Sequence, residues 1–135
     1  MARYTFSGML ITLVGGLLFV SARVTFQNHE LTLDHVLVDT GSVGTVLHSE
    51  RLFEAGLTFE PTDHVHRVHG IGGSELVVTK TLNRLSLGDD EFVVHDFEVE
   101  VGAMDYGIRM DGILGLDCLR HFGLVIDLST LELRR

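Results

Sequence analysis

Val36-Leu37-Val38-Asp39-Thr40-Gly41-Ser42 runs an apolar, β-prone segment into a carboxylate and then a tight glycine turn. Packing alone rarely places an aspartate at the end of such a run. A glycine two residues on lets a backbone N–H approach the acid closely. Two further features follow in order. Gly70-Ile71-Gly72-Gly73 is a glycine-rich tip between β-prone residues 65–68 and 75–79, which makes a hairpin arm with one apolar side chain at its end. Asp111-Gly112-Ile113-Leu114-Gly115 carries an apolar segment into a helix-prone stretch at 116–122 that Gly123 is placed to end.

The rest of the chain reads as short strands between turns. Residues 11–14 and 17–20 flank Gly15-Gly16, the signature of a two-residue hairpin turn. The second of these strands extends to residue 26, before the polar cluster Gln27-Asn28-His29. Residues 31–38 and 45–47 are further strands, and Ser49 is placed to cap a brief helix over 50–55 that Gly56 stops. Residues 82–87 and 91–101 form a hairpin around Gly88-Asp89-Asp90. Within it Phe97, Val99 and Val101 alternate with Glu98 and Glu100, the two-residue period of a half-buried strand. Residues 124–128 and 131–133 are the last strands. The prediction is an all-β domain over 1–135 with one or two short helices.

Composition sets the limits. Of 135 residues 45% are apolar, and 15 glycines stand against one proline, which indicates a turn-rich globular chain and excludes a disordered or collagen-like one. A chain of this length buries about two-thirds of its unfolded surface, enough for one core but not for two lobes. The formal charge of −9, with no basic block, makes nucleic acid an unsuitable partner. Cys118 is the single cysteine, so no intrachain disulfide forms. The apolar run at 9–20 follows Arg3 as in a signal peptide, but it is shorter than the about 20 residues of a membrane-spanning helix. No membrane span and a cytoplasmic location are expected, with export left open by the signal-like start.

Taken in order, the three features resemble the retropepsin-like aspartic peptidases, the single-domain relatives of pepsin, over roughly residues 17–133. Leu37-Val38-Asp39-Thr40-Gly41-Ser42 matches that family's apolar pair before Asp-Thr/Ser-Gly-Ala/Ser. Gly70-Ile71-Gly72-Gly73 matches its glycine-rich flap, and Ile113-Leu114-Gly115 its apolar-apolar-glycine element before the C-terminal helix. The resemblance implies the acid protease fold, a closed barrel, with Ile113, Leu114 and Gly115 in its ψ-loop. It also implies hydrolysis of peptide bonds by two aspartates about 3 Å apart that share one proton. One Asp-Thr-Gly in one short chain supplies half of such a site. The resemblance therefore implies a homodimer with Asp39 from each subunit, a peptide or protein substrate under the flap, and no metal or other cofactor.

By the same resemblance Thr40 interlocks with its two-fold mate below the aspartates, Gly41 binds the catalytic carboxylate, and the C-terminal strands 124–128 and 131–133 join the subunits. Those two strands can also fold back on their own barrel. The Ser42 hydroxyl is expected to donate to Asp39, favouring its ionisation and giving an acidic activity optimum. Asp111-Gly112 is the rival second catalytic turn. It lacks a following Thr or Ser, so it is read as shaping the loop before Ile113, and Asp117 is read as a structural acid at a helix start. His64, His66 and His69 suggest a metal site or a small-ligand barrel, but no cysteine or second cluster completes four ligands, and exposed strand histidines are the simpler reading. Cys118 is expected to be a buried, small apolar residue. The rival reading from another class is a catalytically silent module of this fold that binds peptides or dimerises.

Overall fold

Gly15 and Gly16, at φ +58° and +81°, take the left-handed turn the sequence predicts. The turn joins strand β2 (Thr12–Val14) to β3 (Leu17–Phe26), with Leu13 opposite Leu18. The structure, a computed structural model, describes residues 8–70 and 73–135. Ile71 and Gly72 of the arm's tip, and Arg3, lie outside the described residues. Preceding the hairpin is β1 (Gly8–Leu10), and following it is β4 (His29–Val38), paired antiparallel with β3. Next come β5 (Val46–His48) and helix α1 (Ser49–Glu54). The arm is β6 (His64–Gly70) and β7 (Gly73–Leu87), and β8 (Phe92–Gly102) returns along β7. The chain ends with β9 (Gly112–Leu114), α2 (Leu116–Phe122), β10 (Val125–Asp127) and β11 (Glu132–Arg134).

The pairings run from β3 to β4, β9, β5, β8 and β7, and β7 pairs back onto β3, so the hydrogen-bonded circuit returns to its start. Strands that alternate apolar and polar residues must turn one face inward. Here Val24, Leu33, Leu82, Leu85, Leu87, Phe92, Val99 and Val101 form that face, together with Cys118 and Phe122 from α2. The resulting fold is all-β with two short helices, as expected.

Two local expectations are corrected. The helix at 49–54 is capped by His48, whose Nδ1 accepts the Glu50 N–H at 3.2 Å; Ser49 lies inside the helix and is buried. Residues 75–79 and 82–87 are one strand, because Lys80-Thr81 contains no turn-forming residue and Lys80 is carried into the interior by a 2.8 Å pairing with Asp63. Of the two arrangements open to the C-terminal strands, the fold-back on their own chain is present: β11 lies between β10 and β1, with Met9 opposite Leu133. No helix among the described residues is long and apolar enough to cross a membrane.

Candidate active site

Asp39 sits immediately beyond β4, where three residues of β4 pair in parallel with β9: Val36 with Gly112, Leu37 with Ile113, Val38 with Leu114. The Asp39 N–H continues this ladder by donating to the Leu114 carbonyl at 3.1 Å. The backbone at Asp39 is thus fixed by the buried Leu114, while its side chain remains partly exposed. The Gly41 N–H donates to Asp39 Oδ1 at 2.9 Å, which is the role expected of Gly41. A carboxylate with one oxygen held by a backbone donor has a defined orientation and a second oxygen free for chemistry.

Ser42 is a correction. Its hydroxyl donates to the Gly44 carbonyl at 2.7 Å and not to Asp39. The turn curls back on itself, so the hydroxyl is satisfied by the turn's own backbone, and Ser42 gives Asp39 no donor that would favour an acidic optimum. Thr40 is exposed on the wall of a groove of about 310 Å³ that Leu116, Leu119 and Arg120 of α2 also line.

Behind the turn is an arrangement that sequence reasoning missed. Thr45, which is 1% exposed, donates its hydroxyl to Asp117 Oδ1 at 2.7 Å and accepts the Gly115 N–H at 3.1 Å. Its backbone N–H donates to Asp117 Oδ2 at 3.2 Å. The Leu116 and Asp117 N–H groups donate to the Ser42 and Val43 carbonyls at 2.8 and 3.1 Å. Together these bonds bind the loop 39–45 to the start of α2. Gly115 is at the crossing, and a Cβ there would strike the Gly44 carbonyl, so only glycine allows the two segments to touch. Asp117 is structural, as expected, though its work is to accept Thr45 and the Cys118 N–H more than to offset a helix dipole. Thr45 and Asp117 are 72 positions apart, and nothing local in the sequence links them.

Asp111 lies at the other end of the β4–β9 pair. Its N–H donates to the His35 carbonyl at 2.7 Å, its Oδ2 accepts the His35 N–H at 3.1 Å, and Oδ1 meets Arg51 Nε at 3.3 Å. His35 and Asp39 are four strand positions apart, roughly 13 Å at about 3.3 Å per residue, so the two carboxylates of one chain cannot form a pair. The reading of Asp111 as a loop-shaping residue stands. Ile113 and Leu114 are buried in β9, which lies between β4 and β5.

Gly70 faces Gly73 across the β6–β7 ladder, so those two tip residues close a hairpin as predicted. Of the arm's histidines, His66 is 3.0 Å from Glu100 Oε1, and the Thr79 hydroxyl donates to Glu100 Oε2 at 3.1 Å; His64 stacks near His66 and His69 is exposed. Among the described residues no group of three His, Cys, Asp or Glu side chains could hold a metal ion. Cys118 is fully buried, and burial, with the Asp117 charge beside it, pushes its thiol up to about 12.

A family model described as aspartyl protease matches residues 22–118, from β3 through the Asp39 turn and the arm to the start of α2. The chain belongs to the aspartyl protease family. Asp39-Thr40-Gly41, the arm and Ile113-Leu114-Gly115 all fall within the matched region. The structure is also similar to the crystal structure of a retropepsin-like aspartic protease from Rickettsia conorii, with a TM-score of 0.67 and 21% identity over 96% of this chain and 99% of that one. This likeness shows the shared retropepsin-like fold. Searched against curated proteins, the sequence matches none.

Proposed function

We propose that this aspartyl protease family member is an endopeptidase that works as a homodimer, with Asp39 of each subunit forming the catalytic pair. The observation that carries the reading is the Asp39 carboxylate, aimed by the Gly41 N–H at 2.9 Å and backed by the buried β4–β9 ladder. Two such carboxylates brought close together cannot both ionise cheaply, so one holds a proton. The ionised one takes a proton from water as the water oxygen bonds to the scissile carbonyl carbon. The protonated one gives its proton to the carbonyl oxygen, forming a gem-diol. The C–N bond then breaks, the carbonyl re-forms, and a proton passes to the leaving nitrogen.

The exposed Thr40 is free to meet its two-fold mate beside the pair. The outer edge of β10 has no partner strand among the described residues, with Val125 exposed on the strand and Leu128 just past its end, so antiparallel pairing of β10 with its mate extends the three-stranded sheet between subunits. The arm β6–β7, with Gly70, Ile71, Gly72 and Gly73 at its tip, covers an extended peptide that bonds by its main chain. The test compares wild type with Asp39→Asn on a mixed peptide library from about pH 3 to about pH 8, alongside sedimentation. Cleavage by wild-type dimer only is expected. Equal cleavage by both proteins, or none by a dimeric wild type, overturns the reading, and the second result leaves a peptide-binding module of the same fold.

A further inference from the structure

Glu75 stands two residues past the arm's tip, and its carboxylate is fully engaged by a different part of the chain. One oxygen accepts the Tyr106 hydroxyl and the other accepts the Met104 N–H at 3.2 Å. Both donors belong to the loop that joins β8 to β9. Gly102, the last residue of β8, leaves room for two side chains of β7: a Cβ there would lie 3.0 Å from Val77 Cγ1 and 3.3 Å from both Glu75 Cδ and Oε1. Met104 adopts φ +51°, an unfavourable conformation for a residue with a side chain. It is held there from two sides, by Glu75 at its N–H and by burial of its side chain against Phe19, Val46, Met110 and Ile113. Partial burial first, and then the hydrogen bond to Glu75 and its charge, raise the Tyr106 hydroxyl above the ordinary tyrosine range.

The loop held by Glu75 is itself anchored to the catalytic floor. Its far end is Asp111, fixed by His35 and Arg51, and it runs directly into β9, whose Leu114 carbonyl holds the Asp39 N–H. The arm is held less firmly: among the described residues β6 pairs through its backbone with β7 alone, and the contact of His66 with Glu100 of β8 lies at the arm's base, away from the tip. Glu75 therefore connects the free end of the arm, through residues 104–111, to the strand beside Asp39. We propose that Glu75 is a positioning residue: its two-pronged bond to Met104 and Tyr106 latches the arm to the β8–β9 loop, so that the two move as one wall of the substrate cleft. This rests on the peptidase reading for its effect on catalysis, though not for the latch itself.

The experiment measures amide hydrogen exchange in wild type, Glu75→Ala, Glu75→Gln and Tyr106→Phe, each also on an Asp39→Asn background, with urea midpoints and peptide-cleavage kinetics in the active forms. Glu75→Ala is expected to speed exchange at Met104 and along residues 64–79 together by about tenfold or more, the loss of a hydrogen bond to a charged group. Tyr106→Phe gives a smaller change of the same sign. Glu75→Gln keeps an acceptor for Tyr106 and lies between. The urea midpoint stays near wild type, and kcat/KM falls about tenfold, mainly through KM, because a loose wall binds peptide poorly. Faster exchange at Met104 with an unchanged arm, or a global loss of stability in place of the local change, overturns the latch. If wild type cleaves nothing, the peptidase reading fails while the exchange data still decide the latch.

Discussion

Asp39 and Asp111 stand close before a glycine at opposite ends of the same pair of parallel strands, and their surroundings make them different kinds of acid. Asp111 is 5% exposed, and both its oxygens are used, by the His35 N–H and by Arg51. Asp39 is partly exposed and has one oxygen held by Gly41, with no cation paired to it among the described residues. A carboxylate whose lone pairs are satisfied by fixed donors holds structure together. One that is aimed but left partly unsatisfied is available for proton transfer.

The largest expected effect separates the two. Asp39→Asn should remove peptidase activity by at least about 10²–10⁴-fold, the usual cost of losing a general acid–base group, while leaving the urea midpoint near wild type. Asp111→Asn should do the reverse. It removes the buried charge that faces Arg51, which keeps Glu54 and the Thr32 carbonyl, and weakens the bond from His35, lowering stability by about 2 kcal/mol, while any dimer that remains folded keeps a working pair. If Asp111→Asn abolished cleavage without loss of stability, the division of labour between the two aspartates would be wrong.

The comparison also explains how far the sequence could be read. Residues 17–26 and 116–122 were legible to the residue, because Gly15-Gly16, Gln27-Asn28 and Gly123 mark their ends chemically. Asp39 was legible because a carboxylate at the end of an apolar strand has few packing reasons to be there. The direction of the Ser42 hydroxyl was not legible, since Asp39 and Gly44 are both within its local reach and the curl of the turn chooses between them. Thr45–Asp117 and Glu75–Tyr106 were hidden for another reason. They are 72 and 31 positions apart, and they meet only because β9 crosses beside β4 and β8 returns along β7.

Thr45→Val probes the scaffold that makes Asp39 different from Asp111. Valine keeps the shape but leaves the Gly115 N–H without its acceptor and Asp117 without its hydroxyl donor. The expected cost is about 1–3 kcal/mol by urea unfolding, with Thr45→Ser restoring most of it. Because the same bonds fix the loop 39–45, kcat should fall in the folded fraction while Asp111→Asn leaves it unchanged.

Cys118 reports whether the floor beneath Asp39 is closed. Its thiol is pushed up to about 12 by burial first and by Asp117 second, so in the native state it keeps its proton where the unfolded chain has lost it. The folded state then binds more protons between the ordinary cysteine value and about 12, and stability must fall as pH rises through that window. Near pH 8 alkylation of the native protein should be at least about tenfold slower than in urea. Equal rates would show that α2 does not seal the floor.

The smallest effect belongs to Ser42, and its smallness is the point. With the hydroxyl donating to the Gly44 carbonyl, Ser42→Ala removes one hydrogen bond within a turn, which costs about 0.5–1.5 kcal/mol of stability. It removes no donor from Asp39, whose Oδ1 keeps the Gly41 N–H. The acid limb of the pH–rate profile should therefore stay where it is in wild type. Had the hydroxyl favoured the ionised carboxylate, deleting it would move that limb to higher pH, because the pair would hold its second proton more tightly. A shift of that sign in Ser42→Ala would place the serine beside the reacting carboxylate in the working dimer, and the orientation of the turn would then have to change when the two copies meet.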